Sequence, residues 1–147
     1  SGAGSRGCDQ NPALLAMLSC SLNLLEKKHE ATSLLKKLEG FQGADGAVRG
    51  LVDSDGHFLP AWETWMHTGG LSRVAETTAW AALAWLLASS PGAEDRPKKA
   101  LQWLYSNHCG GHWYSTQGTA AVLTTIVEWT IRHPPAAGPV EWLVEEL

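Results

Sequence analysis

The run His108-Cys109-Gly110-Gly111-His112 sets two imidazoles and a thiol within five positions, ligand types that suit zinc. A closed tetrahedral site needs a fourth ligand, and no second cluster of comparable spacing stands elsewhere in the chain. The expectation is therefore a structural Gly-Gly turn that carries polar side chains and no metal. Asp53-Ser54-Asp55-Gly56 has the look of a calcium loop. With Gly56 at its sixth position, the first ligand falls on Leu51 and the twelfth on Trp62, one short of Glu63. Neither side chain can coordinate, so a plain turn is expected.

Two acidic positions invite general acid–base chemistry. Glu63 and His67 stand four apart, the spacing of a pair on a helix surface. No nucleophile or Gly-rich phosphate loop accompanies them, which favours a surface pair over a catalytic one. Glu76 stands at the opening of the most apolar stretch of the chain. A carboxylate there is expected to accept backbone N–H bonds at a helix N-terminus, a structural role. No catalytic, cofactor-binding or metal-binding residue is assigned, and no cofactor is expected.

These residues must be positioned by helices. The first opens with Asn11 as N-cap and Pro12 in the first helical position. Its Leu14, Leu15, Leu18, Leu22 and Leu25, with Ala16, Met17 and Cys20, leave almost no polar face. A second, Glu30 to Glu39, sets Ala31, Leu34, Leu35 and Leu38 against Lys36, Lys37 and Glu39. A third, Val74 to Ser89, is apolar nearly all round. A fourth begins at Asp95 as cap, with Pro97 in its first turn. A fifth follows Ser115 and runs to Arg132, where Pro134 and Pro135 stop it.

Helices apolar on every side must be covered, whereas one-sided helices can face water. The expected architecture is thus all-α: the first, third and fifth helices inside, the second and fourth outside, as half of an α/α toroid of helical hairpins. Each outer helix is followed by a Gly-rich turn, Phe41-Gln42-Gly43-Ala44-Asp45-Gly46 and His108 to Trp113, which marks a repeated hairpin unit. Between Leu51-Val52 and His57-Phe58-Leu59 the turn at Asp53 to Gly56 predicts a short β-hairpin insertion.

Composition bounds the rest. The chain has 147 residues, enough for one domain over 1–147, of which residues 1–7 read as a linker or expression scar. With 44% hydrophobic and 18% charged residues it is composed to fold rather than remain disordered. A net charge of −4 with scattered Lys and Arg argues against a nucleic-acid surface, and no apolar run reaches the length of a membrane span. The three cysteines, Cys8, Cys20 and Cys109, are too few and irregular for a disulfide framework. Eight tryptophans point to wide helix–helix interfaces, with a lined cavity as the alternative reading.

The stretch Ala75-Glu76-Thr77-Thr78-Ala79-Trp80-Ala81-Ala82-Leu83-Ala84-Trp85-Leu86 resembles the start of a late helix in the thioester domains of alpha-2-macroglobulins and complement proteins. Ala100-Leu101-Gln102-Trp103-Leu104, then Gly110-Gly111 and Tyr114-Ser115-Thr116-Gln117-Gly118-Thr119, resembles that family's next signature, in the same order. Before residue 70 only the helix–turn pattern and Gln42-x-x-Asp45-Gly46 agree. The resemblance implies the C-terminal half of a thioester-type toroid in a secreted or periplasmic, macroglobulin-like endopeptidase inhibitor. Its partners would be other domains of a larger parent and a protease, with a homodimer expected of the isolated chain.

That family's thioester joins a cysteine to a glutamine three positions later in a Cys-x-Glu-Gln motif. Cys8-Asp9-Gln10 has neither the spacing nor the glutamate, and Cys8 is far too close to the late motifs. The chain thus reads as a non-enzymatic scaffold or interaction module without the thioester. The rivals are an α/α-toroid enzyme of the terpene cyclase or prenyltransferase type and a stand-alone helical repeat that binds peptides in a groove. The aspartate-rich signature of a cyclase is lacking, and Cys109 has no evident aspartate partner for a prenyltransferase zinc site.

Overall fold

A computed structural model describes residues 11–50, 70–89 and 94–135, and all structural statements concern these. They form five helices: α1 (Pro12–Leu24), α2 (Lys28–Glu39), α3 (Leu71–Ala88), α4 (Asp95–Ser106) and α5 (Thr116–Arg132). The described residues are all-α; their only β-type pairings are two isolated bridges. The expected hairpin at 51–59, the turn at Asp53 to Gly56, the Glu63/His67 pair, Cys8 and Gln10 lie outside the described residues. No described helix is long and apolar enough to cross a membrane.

Local chemistry sets the helix ends. The Asn11 carboxamide oxygen accepts the Leu14 N–H at 3.2 Å, with Pro12 just inside. Ser115 does the same for Gly118 at 2.9 Å at the start of α5. Three starts differ from expectation. The second helix begins at Lys28, not Glu30. The third helix begins at Leu71, not Val74, behind Gly70. The cap of α4 is Glu94, not Asp95, which is already helical. Neither cap residue makes a side-chain capping bond.

α3 is the hub and packs against each of the other four helices. Its Ala75, Ala79, Ala81, Ala82 and Ala84 are fully buried, and such small side chains let neighbouring helices approach closely. The core lies on two sides of it. One cluster joins Leu15, Ala16 and Cys20 of α1 to Leu35 and Leu38 of α2 and to Ala81, Ala84 and Trp85. The other joins Val74, Ala75 and Ala79 to Trp103 and Leu104 of α4 and to Ala121 and Val122 of α5.

Burial on every side was expected of three helices, and among the described residues only α3 meets it. α5 buries one face, through Gly118, Ala121, Val122 and Thr125. α1 buries Leu15, Ala16 and Ser19 but leaves Leu14 and Leu18 exposed. The reason is position: each flanks α3, and α1 finds cover from α3 and α2 whereas α5 finds it from α3.

Candidate interaction surface

The turn after α4 uses its polar residues for its own backbone. Cys109 and His112 pair in antiparallel fashion, the Cys109 N–H donating to the His112 carbonyl at 2.9 Å and the His112 N–H returning to Cys109 at 3.2 Å. Gly110 and Gly111 between them have φ of 56° and 82°, the two positive values that a tight type I′ hairpin turn requires. The Gly111 N–H donates to Nδ1 of His108 at 3.4 Å, and the His108 ring stands edge-on to Tyr105 and Trp113. Among the described residues no three His, Cys, Asp or Glu side chains come together to hold a metal ion.

Each Gly-rich turn is latched to the next long helix by a threonine, which sequence reading did not single out. After α2 the Val48 N–H donates to the Thr78 hydroxyl of α3 at 2.9 Å. After α4 the Trp113 N–H donates to the Thr119 hydroxyl of α5 at 3.0 Å. Both bonds satisfy a backbone donor where the chain leaves a turn. A third threonine, Thr125, is fully buried and donates toward the carbonyls of Ala79 at 3.0 Å and Ala121 at 2.9 Å, tying α5 to α3. The signal was present as hydroxyls inside otherwise apolar helices.

The turn after α2 also grips the first turn of α4. The Gln42 amide donates to the carbonyls of Gly46 and Arg96 at 3.2 and 3.0 Å and accepts from the Arg96 guanidinium at 3.1 Å. Arg96 reaches on to Glu39 at 3.2 Å. Within the turn Arg49 forms a fork with Asp45 at 3.0 and 2.7 Å, which holds the Asp45 carboxyl below its usual range.

Glu76 is not at the helix N-terminus. Because α3 starts at Leu71, it lies in the second turn, beyond the free N–H groups, and is only 8% exposed. Burial pushes its carboxyl pKa up, and the nearby charge of Arg73 offsets part of that shift. Cys20, buried between α1 and its neighbours, has its thiol pushed up to about 11 by the same desolvation. Cys109 is free and exposed.

The largest unsatisfied features are apolar. On α5 Leu123, Val127 and Ile131 recur every fourth residue and are 50%, 57% and 69% exposed, a continuous stripe down one helix face. On α1 Leu14, Leu18 and Leu24 are also exposed. No family model, curated protein or solved structure matches this chain. What these flanks can do is therefore argued from their own chemistry. Among the described residues several hydrogen bonds join turns to helices, whereas the outward faces of α1 and α5 offer hydrophobic area, the chemistry of association.

Proposed function

We propose that the chain is a non-enzymatic helical scaffold module. It would be the C-terminal half of a thioester-type α/α toroid in a macroglobulin-like endopeptidase inhibitor, acting by packing its open flanks onto neighbouring structure. The observation that carries the reading is the exposed Leu123, Val127 and Ile131 stripe of α5. A helix that continued a ring would bury that face against the next hairpin; here it ends the described array. The repeated turn-and-threonine latch at the α2–α3 and α4–α5 links supports a structure built from like hairpin units. In a secreted or periplasmic parent the neighbour would be another of its domains, and for the isolated chain a second copy.

Light scattering on the purified chain at micromolar concentration tests this. The expected mass is twice the 15.8 kDa of one chain, and Val127→Glu, a change at an exposed position, returns it to one. A mass of one chain across the accessible concentration range would overturn the open-flank reading.

A further inference from the structure

We infer that the groove between α4 and α5 is a binding site for a small amphipathic anion, an alkyl carboxylate of medium chain length. The groove has a volume of ≈ 550 Å³, within the range of small-ligand sites. One wall is a single face of α4, where Leu101 and Tyr105 stand four residues apart; the other is Ile126 and Trp129 of α5. Leu104 and Trp113 form a buried floor. The one polar group of that tryptophan is already used, since its indole N–H donates to the Leu104 carbonyl at 2.7 Å. The floor thus offers carbon and no free donor, which selects for an apolar body.

One end of the same α4 face carries charge. Lys98 also lines the groove, seven residues before Tyr105 and therefore roughly 10 Å along the helix axis. Among the described residues no ion pair holds its ammonium. Glu94, the carboxylate one turn earlier, is instead engaged by Nε2 of His133 at 2.7 Å, a contact that also pins the end of α5 beside the start of α4. The positive end of the α4 dipole adds to the Lys98 charge. A cationic end, an apolar floor and about 10 Å between them match a carboxylate head with a short alkyl tail. A docked protein helix would need far more area than this recess provides.

The experiment is calorimetric titration of the chain with sodium dodecanoate below its micelle concentration, with dodecyltrimethylammonium as the cationic counterpart. Saturable binding of dodecanoate is expected, with the cation at least tenfold weaker by charge alone. Lys98→Gln, at an exposed position, should weaken dodecanoate about tenfold. Ile126→Glu should abolish binding while circular dichroism reports an unchanged helix content. Absence of saturable binding, equal binding of the cation, or an unaffected Lys98→Gln variant would each overturn the proposal. So would dodecanoate binding that fades as the chain is concentrated, which would put a second copy in the groove. Val127→Glu separates this site from the open flank: it should change the oligomeric mass and leave dodecanoate affinity as it was.

Discussion

Cys20 and Cys109 have the same side chain and opposite prospects. A thiolate is the reactive species, and burial pushes the Cys20 thiol to about 11 while closing it off from reagent. Cys109 is exposed on the Gly-Gly turn. Iodoacetamide at mildly alkaline pH should therefore alkylate Cys109 and spare Cys20 until denaturant is added, as peptide mass mapping can show; prompt labelling of Cys20 in the native chain would contradict its placement. Glu76 gives a second test at this scale. Its pKa is raised on folding, so the folded chain holds that proton more tightly than the unfolded one. Stability is gained as pH falls through the folded pKa and lost as pH rises through it. Glu76→Gln should accordingly raise the urea midpoint at neutral pH, and the gap to wild type should close below the ordinary glutamate range. A lower midpoint at neutral pH would mean that the attraction to Arg73 outweighs desolvation. The Gly-Gly turn at His108 to His112 was legible in sequence. The depth of Glu76 was not, because it depends on where α3 begins.

The turns that follow α2 and α4 separate two reasons for glycine. Gly46 has φ of 96° and lies so close to α4 that a Cβ would stand 2.3 Å from the Lys99 carbonyl oxygen. Gly111 has φ of 82°, yet a Cβ there would meet nothing within 4 Å. Gly111→Ala should therefore cost only the left-handed backbone penalty, about 1–2 kcal/mol. Gly46→Ala carries that penalty and must also force the turn off α4, for a total above ~3 kcal/mol. Denaturant unfolding of the two variants measures the difference, and equal losses would mean that the turn does not press on α4. Much of this scale was readable: Asn11 with Pro12 and Ser115 announced α1 and α5, and the two Gly-rich turns announced the ends of α2 and α4. The starts of α3 and α4 were displaced because Gly70 and Glu94 cap without a side-chain bond; Gly70 carries no capping side chain, and Asp95 beside Glu94 drew the α4 cap one position too far. The Val48–Thr78 latch was hidden by distance along the chain, 30 residues, whereas Trp113 and Thr119 are only six apart and were within reach of local reading.

At the scale of the whole molecule, α3 is enclosed by four helices while α1 and α5 each keep an outward apolar side. Continuous apolar patches of several hundred Å² are uncommon on monomers and mark interfaces. At about 25 cal/mol per Å², burying such a patch on two partners would contribute on the order of 10 kcal/mol before the costs of association. What survives those costs appears as mass action, since a partner that binds only the folded chain stabilises it more as its concentration rises. The midpoint of thermal unfolding should therefore climb by several degrees over a hundredfold increase in chain concentration, the span that corresponds to about 2.7 kcal/mol of linked stabilisation. Val127→Glu should abolish that climb and leave the midpoint at the lowest concentration nearly unchanged, because the Val127 side chain is 57% exposed and contributes little within one chain. If the wild-type midpoint is the same at every concentration, the outward faces of α1 and α5 are not what holds this module to its neighbours. The scaffold reading would then have to rest on another surface.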